Sequence, residues 1–176
     1  TEMALDSAIG LLHVYAGKEA DEAVRAALTE GWGKSWRIAE PGLWFKRNPF
    51  CSAASHGADA ALALAQLNLD AEAIEKIDIV FPPGGDAALI HKRPKTGEQG
   101  RFSIEYVVAL ALLVQPFTLG NFGSAAVSAD AEKLMRKMFR SNDADHKPDP
   151  QAIPKGRFTI VRIALADGSV HSREVC

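Results

Sequence analysis

The sequence predicts an α+β fold, a two-layer α/β sandwich of helices on a mostly antiparallel sheet, flanked by helical segments. Three features of the chain point there. Helically spaced stretches and β-rich runs exchange irregularly, without the regular alternation of a doubly wound parallel sheet. The segment from Ser103 to Val114 is apolar on nearly every side and reads as a helix that needs cover on both faces. The closing stretch RFTIVRIALADGSVHSREV has two β-rich arms joined at Asp167-Gly168, a dipeptide suited to a tight hairpin turn.

In chain order, Ala20, Ala23, Val24, Ala27 and Leu28 share one face of an amphipathic helix that stops near Gly31. From there to Pro49, Trp32, Trp36, Trp44 and Phe45 sit among Gly and Pro, which favours extended structure with the aromatics docked on a neighbour. Ser52 or Ser55 can cap a helix carrying Ala58, Ala61, Leu62 and Ala65 as far as Asn68. Asp70 opens a short helical turn before the strand-forming run Ile77 to Phe81, which Pro82, Pro83, Gly84 and Gly85 stop. Residues 84–101, rich in Gly and charge, read as a long mobile connection of the kind that often carries function. After the apolar helix, Ser128 caps another through Ala131, Leu134, Met135 and Met138, and the stretch SNDADHKPDPQAIPKG links it to the hairpin.

Composition narrows the function classes. With 176 residues the chain fits one domain, or one with appendages, and can bury on the order of 70% of its unfolded surface. A formal charge of -2, 47% hydrophobic and 24% charged residues, and a pI near 6.2 resemble neither a disordered chain nor a nucleic-acid binder. The partner expected is small, not polymeric. The longest apolar run, Val107 to Val114, falls well short of the roughly 20 residues of a membrane helix, so a soluble protein is expected. The opening TEMALDSAIG has neither a basic start nor an apolar signal core, and no secretion signal is read there. Cys51 and Cys176 lie in unlike contexts and suggest a reducing cytoplasm, not a disulfide framework.

The chemistry-bearing residues are few. Cys51 and His56 straddle a helix start, His171 and Cys176 fall on opposite faces of a strand, and neither HxxxH nor CxxC occurs, so no metal site is expected. GxGxxG, GxxxxGK[ST] and GxSxG are also absent, and Cys51 reads as a packed thiol. Lys46, His56 and Tyr106 remain, with Arg101 nearby. His56 falls in the first helical turn, where free N–H groups and the helix dipole favour an anion. Spacing alone leaves two readings open, a carboxylate site or solvated side chains, with Tyr106 as a core residue whose hydroxyl meets the surface.

Taken together, KRNPFCSAASHGADAALAL, PKTGEQGRFSIEYVVALALL and VRIALADGSVHSREV resemble the MmgE/PrpD family, which includes 2-methylcitrate dehydratases, cis-aconitate decarboxylases and iminodisuccinate epimerases. The family's pattern of Lys, Pro, small residues, His and an Asp-Ala pair fits Lys46, Pro49, Cys51, His56, Asp59 and Ala60. Its Phe-Ser-x-x-Tyr pattern fits Phe102, Ser103 and Tyr106. The resemblance implies a flanking helical segment over residues 1–31, a lid-like α/β domain over 32–150, and a C-terminal β-hairpin over 151–176 packing on the lid sheet.

By the same resemblance the substrate is a small di- or tricarboxylate that loses a proton from the carbon next to a carboxylate. Lys46 would bind a carboxylate with Arg101 beside it, His56 would bind or exchange protons, and Tyr106 would donate a hydrogen bond. No metal or organic cofactor is implied. The general base is expected largely from a helical domain outside this stretch. The chain is accordingly expected to be a partial lyase or isomerase with little activity alone, completed by a helical-domain partner or by homo-oligomerisation. The alternative is a non-catalytic carboxylate-binding or protein-interaction module with the lid fold.

Overall fold

Burial of the apolar helix organises the larger part of the chain in the computed structural model, which describes residues 7, 10–16, 22–36, 38–39, 42–43, 45–151 and 155–176. Two compact units are present, Thr1–Phe45 and Lys46–Cys176. The first carries α1 (Leu11–Ala16) and α2 (Glu22–Thr29). Gly31, at φ +76°, takes the left-handed conformation that ends α2 where the sequence expects it. The aromatics beyond it are not docked: Trp32, Trp36 and Phe45 are all more than two-thirds exposed. Ala20 and Trp44 lie outside the described residues.

The second unit contains a 3₁₀ turn (Ser52–Ala54), α3 (Ser55–Ala65), β1 (Ile74–Phe81), α4 (Gly97–Gly100), α5 (Ile104–Leu112), α6 (Ala129–Met135), β2 (Met138–Asn142), β3 (Thr159–Leu165) and β4 (Val170–Val175). Its sheet has the order β2-β1-β3-β4, with β1–β2 parallel and the other two pairings antiparallel. This is the predicted α+β arrangement. Alternation along the strands sends Ile77, Ile79, Phe81, Val161 and Ile163 into one core with α3, α5 and α6. The opposite face holds a smaller cluster, Val80, Phe158 and Ile160, beside the exposed Lys76–Asp78 pair. Gly57 of α3 permits close helix packing, since a Cβ there would lie 2.5 Å from Ile104 Cδ1.

Of the two helix caps expected from the sequence, the one at Ser128 forms, and Ser103 adds a cap to α5. Ser103 accepts a hydrogen bond from the Tyr106 amide at 3.2 Å and Ser128 one from the Ala131 amide at 3.3 Å. Neither Ser52 nor Ser55 caps α3; its N-cap is Ala54, and the 3₁₀ turn leads straight into the helix. The turn at Asp70 is held by its side chain accepting from Glu72 N at 2.9 Å. In the closing hairpin, Gly168 sits at φ +84° and Asp167 accepts from both Ser169 N and Ser169 Oγ.

Two further expectations are corrected. The helix read through Met138 stops at Met135, and Met138 instead begins β2, paired to Ile77. Lys137 secures this exchange by donating through Nζ to the Ile74 carbonyl, so sheet pairing overrides the helical spacing. Residues 84–101 are pinned, not a mobile connection. Arg140, on the core face of edge strand β2, donates from Nη1 to the Leu89 carbonyl at 2.5 Å and from Nη2 to the His91 carbonyl at 3.2 Å. It also forms a two-pronged pair with buried Glu105 of α5, with Nε–Oε1 at 2.6 Å and Nη2 meeting Oε2. Ser103 Oγ donates to the same carboxylate, and Asp86 lies 3.6 Å from Arg140 Nη1.

Removing one member of this pair strands a buried charge, and Arg140→Met is expected to cost about 3–5 kcal/mol in urea unfolding. The double replacement Glu105→Leu/Arg140→Met should recover part of that loss, and hydrogen exchange at the His91 amide should quicken in the single variant.

Candidate functional site

The site residues are carried by two segments that meet at an aromatic cluster. Phe50, just before the 3₁₀ turn, stacks at 5.4 Å on Phe122, which in turn meets the Tyr106 ring edge-on at 5.5 Å. The Cys51 amide donates to the Arg101 carbonyl at 2.8 Å, fixing the approach to α3 against the end of α4. Arg101 Nε donates to the Phe122 carbonyl at 2.7 Å, so this residue clamps the loop that carries the central aromatic ring. These links bring the Lys46–His56 and Arg101–Tyr106 segments into one neighbourhood.

His56 is the second residue of α3 and half-buried. Burial lowers its pKa below the ordinary 6.5, outweighing the Asp59 carboxylate, which raises it, and Arg157 lowers it further. The imidazole is therefore neutral near pH 7 and can accept a proton. Asp59 lies one turn along the same face, where Arg47 Nη2 reaches its two oxygens at 3.4 Å. That pair is exposed and contributes little stability. Its geometric effect is to hold the residue next to Lys46 on His56's turn of helix, while Lys46 itself is exposed.

Tyr106 is more constrained than its sequence suggests. Its ring fills the space above Gly100, where a Cβ would fall 2.2 Å from Tyr106 Cδ1. Its hydroxyl donates to the Asn121 carbonyl at 2.7 Å, and burial raises its pKa, which keeps the phenol protonated. The proton is thus committed to the backbone, and Tyr106 also lines a cavity of about 420 Å³ with Leu110, Gln115, Asn121, Ser128 and Asp130. A substrate that took this hydrogen bond would have to replace Asn121.

The sequence carried no signal for Arg157, Asn121 or Phe122, which tertiary contact alone brings to these residues. Among the described residues no three His, Cys, Asp or Glu side chains converge to hold a metal ion, and no helix is long and apolar enough to cross a membrane. Residues 49–176 match the MmgE/PrpD C-terminal domain family. No curated protein matches the chain. Pro49, Cys51, His56, Asp59, Arg101 and Tyr106 fall inside the matched span, and Lys46 precedes it.

A histidine whose folded pKa lies below its unfolded value contributes stability that is complete above the unfolded pKa. It is lost as pH falls through the window toward the lower, folded value. Unfolding free energy should therefore decline as pH drops below about 6.5, and His56→Gln should flatten that slope in denaturant titrations at successive pH values. Tyr106→Phe leaves the Asn121 carbonyl without its donor and should cost about 1–2 kcal/mol in the same assay.

Proposed function

The chain belongs to the MmgE/PrpD family, and we propose that it supplies the carboxylate-binding part of a divided lyase or isomerase site acting on small di- or tricarboxylates. The observation that carries this reading is His56, neutral and half-buried in the first helical turn of α3, with the Lys46–Arg47 segment tied to that turn through Asp59. Loss of a proton from carbon next to a carboxylate puts extra negative charge on that group. A fixed cation and hydrogen-bond donors around it stabilise the developing charge, and more so where water is excluded. Lys46 supplies the charge, and the positive end of the α3 dipole lies on the side of His56. His56 accepts or returns a proton. The base that begins the reaction comes from a helical domain, and no cofactor takes part.

One observation favours a second reading, a carboxylate-binding module without chemistry. Tyr106 already spends its proton on Asn121, which removes one donor from the reaction unless the loop at residues 116–123 shifts.

The two readings share a test and part at its second step. Adding millimolar citrate or cis-aconitate should move the His56 ring signals saturably in NMR spectra, and Lys46→Ala should weaken that binding about tenfold, or about 1.4 kcal/mol. Silence at His56 would remove both readings. Incubation with 2-methylcitrate, cis-aconitate or iminodisuccinate should yield little product from this chain alone, and substantial turnover would show that the base lies within it.

A further inference from the structure

We propose that Arg157 is a second substrate cation of the His56 site, taking a further carboxylate of the ligand and thereby selecting di- and tricarboxylates over monocarboxylates. The proposal rests on the function argued above and adds to it the number of charges the site reads.

The placement follows from strand geometry. Phe158 is buried with Val80 and Ile160 on the sheet face away from the helices. Side chains alternate along a strand, so Thr159, the first residue of β3, is directed to the face that α3 covers, and Arg157 lies two residues before it. Thr159 is buried there, and a Cβ on Gly57 would lie 3.3 Å from Thr159 Cγ2. The first turn of α3 therefore rests on the first residue of β3. His56 precedes that contact on the helix, and Arg157 precedes it by two residues on the strand side.

The charges around His56 leave Arg157 available. On α3 the nearby carboxylate is Asp59, and the segment before the helix pairs Arg47 with it. From β4, His171 and Arg173 lie on the same sheet face, paired with Ile163 and Val161, further along β3 than Thr159. Among the described residues no carboxylate forms an ion pair with Arg157, which is exposed. Its cation opposes Asp59 in its effect on the imidazole. Arg157 thus acts on His56 from the segment before β3, and Lys46 lies on a different segment, before α3. A ligand with two separated carboxylates can answer both cations, whereas a monocarboxylate answers one. Guanidinium is suited to this role through two-pronged recognition of a carboxylate.

The test uses the whole 176-residue chain, with acetate, succinate and citrate titrated against wild type, Arg157→Ala, Arg157→Lys and the remote surface variant Arg93→Ala. Binding is read from His56 NMR shifts and by calorimetry. Arg157→Ala should weaken succinate and citrate binding about tenfold with acetate little changed, Arg157→Lys should restore part of the loss, and Arg93→Ala should match wild type. Without ligand, Arg157→Ala should also raise the His56 pKa. An equal loss in Arg93→Ala, unchanged succinate binding, or an unmoved His56 pKa in Arg157→Ala would each overturn the proposal. No response of wild-type His56 to any carboxylate would instead overturn the function on which it rests.

Discussion

The buried Arg140–Glu105 pair is the constraint on which the rest of the second unit depends. An arginine on the core face of an edge strand must find a counter-charge and enough acceptors for its N–H groups, or the strand cannot close over the core. Glu105 meets that need from a helix otherwise made of apolar residues, and the carbonyls of Leu89 and His91 complete it. One guanidinium therefore joins α5, β2 and the segment between β1 and α4. Its net contribution is smaller than its Coulomb energy, because much of that energy offsets the desolvation of two ions.

The site inherits its geometry from that anchoring. Fixing α5 fixes Tyr106, and the Tyr106 ring, Phe122 and Phe50 pass the placement on to the residues before α3. His56 is held by a helix pressed on β3 and α5 through Gly57, while Lys46 is exposed beside Arg47, which pairs with Asp59. The two candidate residues thus sit in unlike surroundings, one half-buried on a packed helix and one exposed.

How much could be read in advance differs by residue, and for physical reasons. The α5 helix, the Ser128 cap and the Asp167-Gly168 turn are local matters of periodicity, hydrogen-bonding side chains and allowed φ, and all were legible. The span Met135–Met138 was misread because helical spacing persists there while the deciding contacts, Met138 with Ile77 and Lys137 with Ile74, come from sixty residues away. Residues 84–101 looked loose because Gly and charge dominate their composition, and nothing local announces that a distant arginine will collect their carbonyls. The Lys46, His56 and Tyr106 candidates were found by residue type and pattern, yet the commitment of the Tyr106 proton to Asn121 was invisible.

Family membership, the mixture of helices and strands, and the identities of the candidate residues were thus written in the order of the amino acids, since each depends on short stretches whose chemistry is self-contained. Three-dimensional packing settled the parallel pairing of β1 with β2, the burial that lowers the His56 pKa and the effect of the Arg157 charge on that imidazole. Each of these depends on burial or on charges brought together across long separations in the chain, and such quantities have no value until the chain has folded.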